Sequence, residues 1–256
     1  MRVKLLPSRA GSDSQLQALT TFLINDRVAV DGGSIGFAMA PEDMRAFRNI
    51  VVTHAHSDHT ASLPIFVAEV YPELDTPVII HALSEVVTAL REFVFNDQIW
   101  PDFEKIPLGN GGGPSLEFRT LERHVMTEIC GLKVTPIPVN HVVPTAGLIV
   151  REPGASVVFT SDTYVTDEIW EAAREVEELR AIFVDVSYPN EMEQLAAASK
   201  HLTPQSLAAD LKKLGRDVEI YAVHIKPSHR DLVVSQLGKL SDPPVRVAEI
   251  GRVYEW

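Results

Sequence analysis

Residues 50–59 read IVVTHAHSDH, four strand-forming residues followed within six positions by three histidines and one aspartate. The run Ile50-Val51-Val52-Thr53 predicts a strand, and side chains two positions apart point the same way where the backbone is extended. His54 and His56 can therefore bind one ion, and Asp58 and His59, beyond the turn, can reach a second. Burying these groups without a cation would leave polar atoms unsatisfied, whereas zinc accepts imidazole and carboxylate together. The segment predicts two neighbouring metal sites.

Short β-branched runs recur along the chain, at residues 22–24, 27–30, 50–53, 78–80, 132–139, 157–160, 182–186 and 218–223. Between several of them lie helical patterns, with apolar residues three and four apart, at residues 85–95, 167–179, 204–214 and 231–240. The helix at 204–214 has the clearest ends, because Thr203 is a good N-cap, Pro204 suits the first helical position and Gly215 follows the last. The alternation predicts an α/β protein. The meandering strands of the first thirty residues indicate a mixed sheet.

Composition limits the partners. The 256 residues carry 35 acidic and 23 basic side chains, a net charge of −12, so no broad basic face exists to bind long nucleic acid. A small anionic substrate is compatible with this charge, because bound metal ions create a local positive field. No apolar run approaches the roughly 18 residues of a membrane span, and the start of the sequence lacks the apolar core of a signal peptide. We expect a cytoplasmic protein with one domain over residues 1–256, and we interpret the single cysteine, Cys130, as a small buried hydrophobe.

Three further candidate ligands follow later strand-forming runs. His141 comes after the run at 132–139, Asp162 after the run at 157–160, and His224 after the last run. Ligands delivered from the carboxyl ends of strands to one sheet edge form a rigid site on an α/β scaffold. These residues can complete the two metal sites that residues 54–59 begin.

The motif His54-x-His56-x-Asp58-His59, followed in order by His141, Asp162 and His224, resembles the metallo-β-lactamase superfamily over nearly the whole chain. The resemblance implies an αβ/βα sandwich of two mixed β-sheets flanked by helices, with two zinc ions at one edge; manganese or iron could fill the same ligands. It also implies a ligand set for each ion. His54, His56 and His141 would hold the first ion, Asp58, His59 and His224 the second, and Asp162 would bridge them.

Four segments in order are similar to class II cyclic-nucleotide phosphodiesterases: residues 53–64 (THAHSDHTASLP), 95–101 (FNDQIWP), 199–204 (SKHLTP) and 224–227 (HIKP). This narrower resemblance implies a dizinc enzyme that hydrolyses the 3′ ester of a 3′,5′-cyclic nucleotide with a metal-activated hydroxide. Cyclic AMP is the expected substrate and cyclic GMP the second. The metal motif alone is shared with RNA-processing phosphodiesterases, lactonases and thioesterases, so another hydrolase of this fold is the alternative. A second alternative is a module that binds metal but catalyses no reaction.

Several residues have candidate roles beyond the ligand set. We expect His201 to contact the phosphate and to deliver a proton to the leaving oxygen, and we count Asp58 with it as catalytic. Asp31 could accept a hydrogen bond from a ligand histidine. Phe95, Trp100 and Phe103 could stack on a purine, with packing in the core or in a homodimer contact as the alternative.

Overall fold

The computed structural model describes all residues, 1–256, and contains fourteen strands in two seven-stranded sheets. The strands are β1 (Arg2–Leu5), β2 (Phe22–Ile24), β3 (Val28–Val30), β4 (Asn49–Val52), β5 (Val78–Ala82), β6 (Leu116–Thr120), β7 (Thr127–Ile129), β8 (Leu132–Pro138), β9 (Ala146–Glu152), β10 (Ala155–Phe159), β11 (Leu179–Asp185), β12 (Glu219–Val223), β13 (Val245–Val247) and β14 (Val253–Glu255). The first sheet has the order β14-β1-β2-β3-β4-β5-β6, and the second has the order β13-β12-β11-β10-β9-β8-β7.

Nine α-helices connect and cover the strands. They are α1 (Ile35–Ala38), α2 (Pro41–Met44), α3 (Ser57–Thr60), α4 (Leu63–Val70), α5 (Ser84–Phe93), α6 (Glu168–Arg174), α7 (Glu193–Ser199), α8 (Pro204–Leu211) and α9 (Arg230–Leu237). Short 3₁₀ helices occupy Tyr71–Glu73, Asn190–Met192 and Pro227–His229. No helix combines the length and the hydrophobicity that a membrane crossing requires.

Both sheets are mixed. In each of them the antiparallel pairs lie on one side and the parallel pairs on the other, with the change at β3 in the first sheet and at β10 in the second. The candidate ligands follow the carboxyl ends of β4, β8, β10 and β12. Two further buried carboxylates lie at the ends of β3 and β11, those of Asp31 and Asp185. The prediction of an α/β protein with two mixed sheets and flanking helices is confirmed.

The second sheet is buried on both faces. Phe159 and Phe183 point toward the first sheet, where Phe22 meets their rings at 4.9 and 5.2 Å. The residues that alternate with them, such as Val158 and Ile182, belong to a second apolar cluster with α6, α8 and α9. This period-two alternation places one core between the sheets and another beneath the helices.

The predicted helix boundaries agree best with the structure where capping residues mark the end of the helix. The Thr203 side chain accepts a hydrogen bond from the Ser206 amide, the Ser206 hydroxyl accepts one from the Thr203 amide, and Pro204 occupies the first turn. The helix predicted at 167–179 is shorter, because α6 ends at Arg174 and the chain at Leu179 already pairs with Ser156 as β11. Strand pairing therefore overrides the helical pattern in that segment.

Candidate metal centre

The first four candidate ligands are held by the end of β4 and by α3. The Thr53 amide and hydroxyl both donate to the buried carboxylate of Asp31, which fixes the chain as it leaves the strand. His56 keeps extended backbone angles and precedes α3, so the chain turns directly after it. This short helix carries Asp58 and His59 back toward His54, whose ring lies 4.2 Å from that of His59.

The later ligands come from three loops of the second sheet. His141 follows β8, Asp162 follows β10 and His224 follows β12. Asp162 lies at the centre, because its carboxylate oxygens are 3.7 Å from His54 Nε2, 3.2 Å from His59 Nε2, 3.9 Å from His141 Nε2 and 3.6 Å from His224 Nε2. The structure thus brings all seven sequence-predicted residues to one edge of the two sheets.

Three groups of four residues share Asp162: the first two together contain the seven predicted ligands, and the third consists of Asp162, Asp185, His201 and His224. In each group one nitrogen or oxygen atom per residue lies within 4.8 Å of the others. The first group is His54, His56, His141 and Asp162, and the second is Asp58, His59, Asp162 and His224. This division is the same as the one that the family resemblance implies, and the cluster is able to bind metal. The assignment of each residue to a particular ion stays a prediction.

Most of the histidines have a partner on the ring nitrogen that faces away from the cluster. His59 Nδ1 lies 2.7 Å from Asp31 Oδ2, and His141 Nδ1 lies 3.1 Å from the Lys200 carbonyl oxygen. His224 Nδ1 lies 2.9 Å from the hydroxyl of Ser187. A partner on the outer nitrogen fixes the tautomer and leaves Nε2 as a lone-pair donor. Asp31 therefore has the supporting position that we expected for it.

The electrostatics of the cluster favour a cation. Burial raises the pKa of Asp162, but His224 and His59 outweigh it and hold this pKa well below its ordinary value. Burial lowers the pKa values of His59 and His224, yet the surrounding carboxylates, Asp162 foremost, together outweigh it, so the pKa of His59 stays well above its ordinary value and that of His224 rises to about 9. Burial lowers the pKa of His54. The carboxylates thus draw positive charge onto the same nitrogens that a metal ion would use.

The residues fit a metal ion on a second ground. His54 Nε2 and His59 Nε2 are fully buried and have no hydrogen-bond partner, although an unpaired buried polar atom is costly. Both atoms face Asp162. Five imidazoles and two carboxylates, without cysteine, form a donor set suited to zinc and also to manganese or iron.

His201 lies beside both groups, and its partner, Asp185, was not predicted. The His201 ring is 5.2 Å from that of His141 and 5.3 Å from that of His224. Its Nδ1 is 2.8 Å from Asp185 Oδ2, and Ser187 donates to the other oxygen of that carboxylate. Burial raises the pKa of Asp185, but His201 outweighs this effect and lowers it. Asp185 is the last residue of β11 and follows four apolar residues, and this lone acid has no neighbour in sequence that marks it as functional.

The loops that carry the site contain left-handed residues other than glycine. Asp31, Ser161, Lys200 and His224 have φ angles between 56° and 62°. Such a conformation costs on the order of 1–3 kcal/mol at each position and persists only where the surroundings enforce it. Here hydrogen bonds to the neighbouring loops enforce it, as in the donation from the His224 amide to Gln17 Oε1.

The three aromatic residues that we considered for stacking on a purine pack into the core instead. Phe95 and Phe103 are buried, and Trp100 packs against the same core, so the alternative of core packing holds for them. Cys130 is exposed, and its interpretation as a buried hydrophobe was wrong. Cys130 and Gly131, which has a φ of 81°, form a tight turn between β7 and β8.

Comparisons with known proteins agree with this architecture. A "Probable 3′,5′-cyclic-nucleotide phosphodiesterase" of Yersinia pestis is 24% identical to the chain, over 77% of this chain and 64% of the relative. The chain therefore spans less than two thirds of that relative's length. The crystal structure of unliganded yeast PDE1 superposes with a TM-score of 0.80 at 17% identity, over 98% of each chain. That of the metallo-beta-lactamase fold protein YhfI from Bacillus subtilis superposes with a TM-score of 0.75 at 13% identity, over 99% of each.

A family model described as the beta-lactamase superfamily domain matches residues 35–225. This range contains the motif at 54–59 and the three later ligands, and it ends one residue after His224. The two mixed sheets are those of the metallo-β-lactamase fold. The chain belongs to the beta-lactamase superfamily.

Proposed function

We propose that the protein is a dizinc phosphodiesterase that hydrolyses the 3′ ester of 3′,5′-cyclic nucleotides, converting cyclic AMP to 5′-AMP. The observation that carries the proposal is the pair of four-residue groups that share Asp162, with His201 beside both of them. Two adjacent ions are a common arrangement for phosphoryl transfer. The similarity to a relative named as a cyclic-nucleotide phosphodiesterase supports the choice of substrate.

The residues that would hold the ions are those of the two groups. His54, His56 and His141 would bind the first ion and Asp58, His59 and His224 the second, with Asp162 between them. Bound zinc would supply Lewis-acid charge for the phosphoryl oxygens and would lower the pKa of a coordinated water. The chain's own part is to fix the donor atoms, and the outer-nitrogen contacts to Asp31 and Ser187 do so.

His201 is placed to deliver a proton to the leaving 3′ oxygen. Its Nδ1–H donates to Asp185, so the opposite nitrogen, Nε2, is left for the substrate. The buried Asp185 carboxylate also holds the ring in this orientation. Asp58 contributes in a different way, since its Oδ2 lies 3.0 Å from His224 Nε2 and would orient the second ion.

The overall charge supports a small substrate. At −12 the protein repels a long polyanion, whereas a single phosphodiester can enter a site in which bound cations offset the charge of the carboxylates. Cyclic GMP differs from cyclic AMP only in the base. It is therefore the second candidate substrate.

The direct test is chromatographic analysis of the products after zinc-loaded protein is incubated with 3′,5′-cyclic AMP. We expect 5′-AMP and no 3′-AMP, because only the 3′ ester is cleaved. The His56→Ala variant, prepared in the same way, controls for contaminating activity. If the wild-type protein forms no product above that control, the proposal is wrong, and lactones, thioesters and RNA ends become the substrates to test.

A further inference from the structure

The charges of the metal centre leave an anionic substrate without a fixed positive partner. Four carboxylates, those of Asp31, Asp58, Asp162 and Asp185, lie in or directly behind the two groups. Together they carry the negative charge that two divalent cations would neutralise. A phosphodiester monoanion would then approach a neutral centre inside a protein of net charge −12. For the enzyme to prefer an anionic substrate, a further cation is therefore needed at the solvent-facing edge of the metal centre.

Lys226 is the cation that the structure places there. Its Nζ lies 3.5 Å from Asp58 Oδ2, and its side chain is 31% exposed, so the lysine is accessible to solvent at the edge of the second group. The nearby Lys200 points elsewhere, because its Nζ lies over the Tyr164 ring at 5.9 Å from the centroid. Lys226 is thus the lysine whose charge meets the candidate ligands.

The backbone fixes this lysine. Its amide donates to the Ser187 carbonyl oxygen at 3.2 Å, and its own carbonyl accepts from the His229 amide at 2.9 Å. Lys226 caps the 3₁₀ helix Pro227–His229, and the residue on its other side, Ile225, is buried. Because Ser187 also contacts His201 and His224, the backbone of Lys226 keeps a defined position relative to both histidines.

We propose that Lys226 binds a non-bridging oxygen of the phosphodiester and makes the enzyme prefer this anion to neutral esters and lactones. The inference rests on the proposed function and names the group that selects its substrate class. Lysine suits this task because its ammonium is a compact point charge with three donors that can follow the phosphate. The competing role is purely structural, in which Lys226 only pairs with Asp58 and supports the second metal ion.

The test compares Lys226→Gln and Lys226→Arg with the wild-type protein. Lys105→Gln is the matched control, since it removes the same charge from a surface lysine that pairs with Asp97 and Asp102. Zinc content, KM and kcat for cyclic AMP, and the binding of inorganic phosphate by calorimetry are measured for each. For Lys226→Gln we expect KM to rise about 10- to 100-fold, as for the loss of one hydrogen bond to a charged group, and phosphate binding to weaken equally. Zinc content should stay at the wild-type level.

The dependence on salt separates the two roles further. Raising the ionic strength should increase KM of the wild-type protein and of Lys226→Arg more than KM of Lys226→Gln, because only the first two keep the screened charge. An unchanged KM in Lys226→Gln, or a loss of zinc that accounts for the change, would overturn the inference. If the wild-type protein hydrolyses no cyclic nucleotide, the proposed function fails, and phosphate binding still decides the role of Lys226.

Discussion

The two sheets of this protein repeat one pattern of strand pairing but contribute to the metal centre in different ways. In each sheet the strand at the change from antiparallel to parallel pairing, β3 or β10, is followed by a left-handed residue, Asp31 or Ser161. The first sheet then supplies its four candidate ligands within six residues. The second supplies its ligands one at a time, from separate loops.

This difference separates local from tertiary control of the site. Residues 54–59 are positioned by one strand end and one short helix, so their relative arrangement depends on a short piece of chain. Asp162, His141 and His224 meet only because the second sheet brings distant loops together. We therefore expect substitution of Asp162, the shared residue of the second sheet, to affect the whole centre, and substitutions within residues 54–59 to affect it in parts.

The largest effect should follow from Asp162→Ala, because Asp162 belongs to both groups. Removing its carboxylate also removes the charge that faces four imidazoles in a buried space. We expect zinc content to fall at both sites and kcat/KM for cyclic AMP to fall by at least about 10³-fold, more than one transition-state donor contributes alone. Metal analysis and steady-state kinetics measure the two effects.

Two further variants put this expectation in context. Asp58→Ala removes a ligand of the second group only, so it should lose part of the zinc that Asp162→Ala loses. Asp97→Ala removes a surface carboxylate and should lose none. Full zinc occupancy in Asp162→Ala would contradict the bridging position.

His201→Ala tests a residue on the side of the second sheet that is not assigned to a metal ion. We expect kcat to fall by roughly 10²- to 10⁴-fold, as for the loss of a general acid, while both zinc ions remain bound. Asp185→Asn should reproduce part of this loss, since it weakens the contact that orients His201. His124→Ala, an exposed histidine paired with Glu168, is the control. A parallel loss of zinc and kcat in His201→Ala would show that the residue is structural.

The sequence predicted the interior of the fold better than its margins. All eight strands read from β-branched runs exist within a few residues. Of the six strands outside those runs, four, β6, β7, β13 and β14, are the edges of the two sheets, and only β1 and β9 lie inside them. Edge strands are short and carry charges that discourage pairing with another chain, such as Arg246 in β13 and Glu255 in β14. Their hydrophobic signal is weak for the same reason.

The same contrast applies to the site. The motif at 54–59 could be recognised because its ligands are adjacent in sequence. Asp185 could not, because a single acid at the end of an apolar strand has no neighbour that marks it. Its role appears only when His201, sixteen residues later, folds against it. Tertiary contacts of this kind have no local period in the sequence.

Asp31→Asn tests how the first sheet holds its ligands. The buried Asp31 carboxylate accepts hydrogen bonds from both Thr53 and His59, and its charge raises the basicity of the His59 imidazole. We expect zinc affinity, measured by competition with a chelator, to weaken about 10- to 100-fold. Asp26→Asn is a close control, because Asp26 also has a positive φ, 52°, and lies in an exposed turn. An unchanged zinc affinity would show that Asp31 does not support metal binding.

Gly33→Ala, the substitution with the smallest expected effect, tests the close packing of the first sheet's loops against α3. A Cβ at Gly33 would lie 2.0 Å from the carbonyl oxygen of Asp58, which has to move for the side chain to fit. Such overpacking costs about 1–3 kcal/mol, and each kcal/mol lowers the Tm of a chain of this size by roughly 2–4 °C. Gly109→Ala, in open space and without a positive φ, should change stability by no more than about 0.5 kcal/mol. Because the displaced carbonyl belongs to Asp58, zinc should be lost from the second group before the first, and equal loss from both would contradict local control of the motif.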